Sequence, residues 1–102
     1  MSLVLHTVQK EKERIEYMLA AYNRELGGLP KGSVITKTMR QNVYFYLKYR
    51  DGKKVVTVYL GKDGEKVQTV RSQLEKRQHV EAMIAHLQLE QALANKVLGV
   101  KI

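Results

Sequence analysis

The chain has 102 residues, enough for one domain with a modest core, and its 44% hydrophobic and 27% charged residues are typical of a folded globular protein. It contains no cysteine, which excludes disulfides, thiolate metal sites and cysteine nucleophiles. The formal net charge is +8, no apolar run approaches the roughly 20 residues of a membrane span, and the N-terminus lacks a signal-peptide apolar core, so we expect a cytoplasmic protein with no membrane contact.

The first 26 residues carry the periodic apolar pattern of an amphipathic helix, which we predict over about residues 4–26. Val8, Ile15 and Tyr22 recur every seven positions, and charged side chains occupy the other faces. Thr7 is a candidate N-cap residue, and a start nearer Ser2 is the alternative.

The glycine pair at residues 27–28 is expected to end this helix, because the left-handed conformation that often follows a helix costs glycine little. Pro30 then prevents the helix from continuing. A short strand follows over about residues 34–39, and its facing depends on the turn near Arg40-Gln41. A two-residue turn puts Val34, Thr36 and Thr38 on the side that the next strands make aliphatic, whereas a three-residue turn puts Ile35, Lys37 and Met39 there. Burial of Ile35 and Met39 favours the three-residue turn, and the choice stays open.

Residues 42–60 predict a β-hairpin, with strands over about residues 43–50 and 53–60 joined at Asp51-Gly52. This dipeptide favours a two-residue type I′ turn, in which Arg50 faces Lys53, Leu47 faces Val56 and Tyr44 faces Tyr59. Side chains alternate across a strand, so one face is aliphatic and carries Val43, Phe45, Leu47, Val56, Val58 and Leu60. The opposite face, which we call the tyrosine face, carries Tyr44, Tyr46, Lys48, Arg50, Lys53, Val55, Thr57 and Tyr59.

A longer helix is predicted over about residues 65–98, where apolar residues recur at helical spacing. The pattern is interrupted at residues 75–79, where the helix could kink, change packing partner or restart from a capping box formed by Ser72 and Glu75. The apolar stripe from Val80 to Val97 requires a cover, which the first helix or a second copy of the chain could supply. We therefore expect a homodimer formed through the helices.

These elements predict an α+β fold in a single domain spanning residues 1–102. The expected order is an N-terminal helix, a three-stranded antiparallel meander and a long C-terminal helix. We expect the helices to pack on the aliphatic face of the sheet and on each other.

The positive charge is concentrated in the middle of the chain. Residues 31–77 hold twelve basic and four acidic side chains, whereas the segments before and after them hold equal numbers of each. A segregated positive field attracts polyanions, of which nucleic acid is the most common. The alternative is that these side chains only solubilise a small sheet.

The tyrosine face is the predicted binding site, because nucleic-acid-binding sheets use aromatic rings for packing and Lys or Arg for the backbone. The alternative for Tyr44 and Tyr59 is a stabilising cross-strand pair beneath one of the helices. That alternative is weaker for the cations, which cannot be buried cheaply. The candidate nucleic-acid-binding residues are Lys37, Tyr44, Tyr46, Lys48, Arg50, Lys53 and Tyr59.

The sequence contains none of the signatures of an enzyme or of a bound cofactor or metal. It has no glycine-rich phosphate loop between strand and helix, no HExxH motif and no nucleophile elbow. His79 and His86 lie seven residues apart on the long helix, but without a nearby carboxylate they are typical of solvated side chains. We therefore expect a protein that is not an enzyme and that has no cofactor.

The middle of the chain resembles a family of small uncharacterised bacterial proteins, some from phage and mobile-element neighbourhoods, with a YYYLxYRxGxKVxxxYLGK-like signature between helices. The resemblance rests on residues 29–33, on the run from Tyr44 to Val55 and on residues 59–62. It identifies a family and implies no function.

A looser similarity is to the arm-site-binding N-terminal domains of tyrosine recombinases, which lay a three-stranded sheet in the DNA major groove. It rests on Gly32-Ser33, on the Tyr49-Arg50-x-Gly52-Lys53 turn and on the helix that follows. This chain differs in having no Trp in the central strand, a longer final helix, an added N-terminal helix and no catalytic domain. The similarity implies DNA binding by analogy.

The function that these observations predict is a small, non-enzymatic nucleic-acid-binding accessory protein, with DNA favoured over RNA as its partner. Lys37, Lys48, Arg50 and Lys53 would contact phosphates, and the tyrosines would pack on sugar or base. The rival hypothesis is an interaction module whose helices dock a protein partner while the basic sheet is merely solvated.

Overall fold

The structure is a computed structural model that describes residues 2–99 of the chain. Its elements are α1 (Leu3–Gly27), β1 (Ser33–Met39), β2 (Asn42–Asp51), β3 (Lys54–Gly61) and α2 (Glu65–Leu98). The predicted α+β fold is confirmed, with its N-terminal helix, three antiparallel strands and long C-terminal helix. The predicted domain bounds also take in Met1 and residues 100–102, which lie outside the described residues.

The chain divides into two compact units. The helical unit contains the chain up to Gly28 and the chain from His79 onward, and the sheet unit contains residues 29–78. The helix α2 contributes its first part to the sheet unit and its second part to the helical unit.

The first helix begins one turn earlier than Thr7, at the alternative start near Ser2. The Ser2 hydroxyl accepts a hydrogen bond from the Val4 backbone N–H at 3.2 Å, which makes Ser2 the N-cap residue. At the other end Gly28 has a φ of −92° and donates its backbone N–H to the Glu25 carbonyl at 3.1 Å. The prediction of a left-handed conformation at this glycine pair is therefore wrong, because the helix ends in a right-handed turn.

The helical unit has a small apolar core and a set of internal ion pairs. Ile15 of α1 is buried, as are Val80, Ile84, Leu87 and Ala94 of α2. Arg14 donates to Glu11 at 2.9 Å (Nη2 to Oε2) and lies 3.9 Å from Glu90 of α2. The hydrogen bond from Arg14 lowers the pKa of the Glu11 carboxyl, and the same bond raises the pKa of Arg14.

The turn between β1 and β2 has two residues, Arg40 and Gln41, because Met39 pairs with Asn42. Of the two facings considered for β1, the structure adopts the one in which Val34, Thr36 and Thr38 lie on the aliphatic face. Arg40 has a φ of 57°, a conformation that non-glycine residues adopt in tight turns at some cost. Lys37 consequently lies on the tyrosine face, opposite Tyr44.

The turn between β2 and β3 lies one residue later than predicted, at Gly52 and Lys53. Asp51 pairs with Lys54, and Gly52 has a φ of 61° at the first central position, where a type II′ turn requires glycine. A type I′ turn at Asp51-Gly52 would need a positive φ at Asp51, and Arg40 is the one non-glycine residue with a positive φ among the described residues. The predicted register is therefore wrong.

The register error is two residues, which leaves every side chain that remains in the strands on its predicted face. Leu47 pairs with Val58 instead of Val56, and Tyr46 rather than Tyr44 pairs with Tyr59. A β-bulge follows, because Phe45 pairs with Gly61 and leaves Leu60 as the extra residue on β3.

The core of the sheet unit lies on the aliphatic face, under the first part of α2. Leu47 and Leu60 from the sheet are buried against Val67 of α2, which is fully inaccessible to solvent. Burying one such valine side chain stabilises a fold by roughly 1.5–3 kcal/mol. Partly buried side chains packed around this cluster are Val34, Phe45, Tyr49, Val70 and Leu74.

The second helix is continuous through residues 75–79 and does not restart at Ser72. The expected change of packing partner does coincide with this interruption, because the helix passes from the sheet unit to the helical unit at His79. Within the described part of the chain, no helix is long and apolar enough to cross a membrane.

Gly32 allows the linker before β1 to lie directly against β2. Its φ is +104°, and a Cβ at this position would lie 2.2 Å from the Lys48 carbonyl oxygen and 2.7 Å from the Tyr49 Cβ. The obstacle includes backbone, which cannot move aside as a flexible side chain can. This contact fixes the end of β1 beside Lys48, with which Ser33 pairs.

We predict that Gly32→Ala destabilises the protein by at least about 3 kcal/mol, because it adds overpacking against backbone to the cost of a left-handed alanine. Gly52→Ala is the matched control, since Gly52 has a positive φ of 61° but no atom near its Cβ position. We expect the control to cost about 1–2 kcal/mol, which is the cost of a left-handed alanine alone. Urea denaturation followed by circular dichroism measures both, and equal losses would contradict the close approach at Gly32.

Candidate nucleic-acid interface

Three tyrosines form one cluster on the tyrosine face. The Tyr59 ring lies between the other two, with its centroid 5.3 Å from that of Tyr46 and 6.3 Å from that of Tyr44. Both pairs are tilted, a geometry that is favourable between aromatic rings. Tyr59 comes from β3 and the other two come from β2, so the cluster joins two strands of the sheet.

Two lysines lie over the rings of this cluster. The Lys37 Nζ is 4.8 Å from the Tyr46 ring centroid, and the Lys62 Nζ is 5.9 Å from the Tyr44 centroid. Lys62 also donates to the Asn42 side-chain oxygen at 3.4 Å. Cation–π contacts of this kind are worth about 0.5–1 kcal/mol at exposed sites, enough to bias where the ammonium groups lie.

The other end of the tyrosine face has a shallow depression of about 380 Å³ beside the start of β1. Lys48 and Arg50 line it together with the Ser33 side chain, and all three share the tyrosine face. Its apolar lining comes from Ile35 and Val55, and Gly32 and Tyr49 complete it. The depression thus offers two cations and a hydroxyl next to a small apolar surface.

The structure brings most of the predicted site residues together, in two groups. At one end Tyr59 contacts Tyr44 and Tyr46, and Lys37 lies over the Tyr46 ring. At the other end Lys48 and Arg50 line the depression. Lys53 is an exception: it lies in the turn itself and not opposite Arg50.

The alternative placement of the tyrosines beneath a helix does not hold within the sheet unit. The part of α2 that belongs to this unit packs on the aliphatic face, around Val67. On the tyrosine face Tyr59 keeps 53% of its surface exposed, and the side chains of Lys48 and Arg50 are exposed as well.

The cations of the tyrosine face have no carboxylate partners. In the part of the chain that the structure describes, no ion pair involves Lys37, Lys48, Arg50 or Lys53. In the helical unit, by contrast, Lys10, Lys12 and Arg14 pair with glutamates at 3.8, 3.9 and 2.9 Å. Positive potential is therefore neutralised locally in α1 and remains uncompensated on the sheet.

Sequence reasoning missed Lys62 and the apolar lining of the depression. Lys62 approaches Tyr44 because the bulge at Leu60 redirects the chain, and Gly61 has a φ of +99° there. The sequence signal that could have indicated this bulge was Gly61, which follows Leu60 at the end of the strand. Ile35 and Val55 were predicted to lie in the first and third strands. The depression that they line depends on the close approach of Gly32 to Lys48 and Tyr49 of β2, which could not be predicted from the sequence.

The chemistry that this arrangement offers is anion binding beside aromatic and apolar surface. The Nε2 atom of His86 lies 3.1 Å from the Oε1 atom of Glu90, so the expectation that this histidine lacks a nearby carboxylate is wrong. Among residues 2–99, however, no group of three or more His, Asp or Glu side chains is placed to hold a metal ion. The cations can attract phosphates, and the half-exposed tyrosine can pack against a sugar or a base.

Comparison with known families shows that the sheet lies within the region matched by one domain family. Residues 8–69 match a family whose description is a domain of unknown function, DUF6788. The matched region runs from within α1, through all three strands and Lys62, to the first residues of α2. No curated protein and no solved structure matches the chain.

Proposed function

We propose that this chain, which belongs to the DUF6788 family of domains of unknown function, is a small non-enzymatic accessory protein that binds nucleic acid through its tyrosine face. The supporting observation is the group of unpaired cations on the same sheet face as three clustered tyrosines. A surface of exposed Lys and Arg without acidic partners attracts a polyanion and releases its counterions on binding.

Each group of site residues has a role in this proposal. Lys48 and Arg50 bind phosphates at the depression, and Lys37 does so at the tyrosine cluster, where Lys62 is added to the predicted set. Tyr59, the most exposed of the three clustered rings, packs against sugar or base together with Tyr44 and Tyr46. Lys53 reaches the backbone from the turn. If sequence is read at all, Arg50 is the candidate for a base edge, because bidentate Arg–guanine contacts are the most common direct readout.

The dimensions of the sheet favour DNA over duplex RNA. Three strands at a spacing of about 4.8 Å are about 10 Å across, which fits a B-DNA major groove of about 12 Å. The A-form major groove of duplex RNA is too narrow for side chains to read. The proposed partner is accordingly DNA, and the proposed location is the cytoplasm.

A second candidate function is protein docking through the helical unit, including self-association. Leu89 and Leu93 on α2 are 68% and 64% exposed, and Val97 continues the same stripe. Leu93 and Val97 also line a groove of about 320 Å³ whose other walls include Val8 and Ile15 of α1. Exposed apolar patches of this kind mark interaction surfaces.

For the nucleic-acid function we predict that Lys48→Ala combined with Arg50→Ala weakens binding and makes the salt dependence of log K shallower by about two, since each lost phosphate contact removes about one released counterion. The measurement is fluorescence anisotropy of labelled duplex DNA, single-stranded DNA and RNA at several salt concentrations. Both positions are exposed, so the fold should survive.

The matched control is Lys10→Ala combined with Lys12→Ala, which removes the same charge from α1. It should leave the affinity and the salt slope close to those of the wild type. Equal losses in the two double variants would show that binding responds only to net charge, and the proposed site would be wrong.

To separate the two candidate functions, we predict that Leu89→Gln with Leu93→Gln leaves nucleic-acid affinity unchanged within about twofold, because exposed substitutions outside a binding site rarely matter. The same anisotropy titration and a thermal melt provide the check. If no nucleic acid binds the wild type even at low salt, whereas the leucine variant loses a partner or a self-association that the wild type has, the docking function is favoured.

A further inference from the structure

The outer edge of the sheet at β3 is unusually apolar for a strand with unpaired backbone groups. The sheet order is β1-β2-β3, so one side of β3 has no neighbouring strand. Between Lys54 and Lys62 this strand has no charged residue, and Val55 and Val58 are 51% and 40% exposed. Natural sheets protect such edges with charge, proline or bulges, because an open apolar edge pairs with another strand.

The opposite edge of the sheet is protected in the expected way. Strand β1 carries Lys37 one residue past its midpoint, between two threonines, and Arg40 lies in the turn that follows. The middle of β3 is Thr57 between two valines, without a charged residue. The β3 edge has a bulge at Leu60 and lysines at its ends, so the part that lacks a deterrent to pairing is its middle, from Val55 to Tyr59.

The β3 edge is also complementary to itself. The bulge at Leu60 ends its regular pairing with β2, which leaves Lys54 to Tyr59 as its regular part. If two such edges pair antiparallel about Thr57, then Thr57 faces Thr57, Val56 faces Val58 and Val55 faces Tyr59 of the other copy. Every one of these cross-strand pairs is favourable, and each joins side chains from the same face of the sheet.

At ordinary salt, repulsion between two basic units acts mainly at the two ends of this arrangement, where Lys54 of one copy lies opposite Leu60 of the other and so comes near Lys62 of that copy. Along the middle of the contact, the nearest cations on the tyrosine face are the two copies of Lys48, each one strand inside the edge because Lys48 pairs with Thr57. Three strand spacings separate them, about 14 Å, which exceeds the Debye length of about 8 Å at 0.15 M salt. At low salt the Debye length grows and the copies should repel.

We propose that the β3 edge is a self-association site, at which a second copy of the chain adds its own β3 antiparallel about Thr57. The product is one six-stranded sheet whose two tyrosine faces are continuous. At about 24 Å across it is wider than the B-DNA major groove of about 12 Å, so the groove contact proposed above belongs to the single copy. The contact is short, below the roughly 1,200 Å² of stable complexes, so the association is reversible and concentration-dependent. This site differs from the helix surface considered above, and it does not depend on nucleic-acid binding.

The test uses disulfide trapping. The sequence contains no cysteine, so any disulfide between protein chains must come from the introduced residue. In the proposed pair the two Thr57 Cα atoms lie about 4.5–5.5 Å apart, within the range that a disulfide spans. Thr57→Cys should therefore form a covalent dimer in 0.15 M salt with oxidised glutathione as the electron acceptor. We expect its rate to exceed that of Thr36→Cys by at least about tenfold, because preassembly raises the effective thiol concentration.

Thr36→Cys is the matched control, since Thr36 is an exposed threonine in the other edge strand. Leu93→Cys is a second control that reports association through the helices. Circular dichroism verifies the fold of each variant. A second test, which needs no oxidation, compares the sedimentation of the wild type with that of Thr57→Lys, a variant that places two like charges opposite each other in the proposed pair. The wild type should show reversible dimers that Thr57→Lys abolishes.

Faster trapping of Thr57→Cys that rises further with added salt would support the proposal. Equal trapping rates for Thr57→Cys and Thr36→Cys, or selective trapping of Leu93→Cys, would overturn it. The same conclusion would follow if the wild type and Thr57→Lys sedimented with the same apparent mass. Because trapping needs no DNA, a negative result leaves the nucleic-acid function to its own anisotropy test, and a failure of that test leaves the trapping result intact.

Discussion

The pairing of β2 with β3 is the constraint on which the rest of the sheet unit depends. Glycine at position 52 closes a two-residue turn, and the pairing that follows sends Leu47 to one side and Tyr46, Lys48 and Tyr59 to the other. A slip by one residue would exchange these faces and put cations against Val67 of α2. Because the aliphatic face is buried against α2, the tyrosine face is the one that remains exposed. The alternation of side chains along the strands places the cations on that exposed face.

The division of side chains between the two faces could be predicted from the sequence, whereas the cross-strand pairs could not. Alternation depends only on the period of a strand, so an error of two residues in register left Tyr44, Tyr46 and Tyr59 on one face. The pairs depend on which residue adopts a positive φ, and Asp51-Gly52 was compatible with more than one turn. The position of Lys62 over Tyr44 depends on a bulge, for which the sequence offered only Gly61.

The two units differ in how their charges are arranged, and this difference supports the proposal that the sheet, and not α1, binds nucleic acid. In α1 the basic side chains pair with glutamates three or four residues away. On the tyrosine face the strand geometry separates the cations from Asp51, which lies at the turn opposite Lys54. Net charge could be read from the sequence, but only the paired or unpaired state of each cation shows where the positive potential persists. Exposed pairs contribute little stability, so their main effect here is on the field.

The most direct test of the account is to map the contact surface by NMR, adding a short DNA duplex to the isotope-labelled protein and following each backbone amide. The account predicts that the largest shifts fall in β1 to β3, at Ile35, Tyr46, Lys48 and Tyr59, and that α1 residues near Lys10 stay unchanged. Shifts concentrated instead on Leu89, Leu93 and Val97, with the sheet unaffected, would contradict the assignment of the tyrosine face as the binding surface.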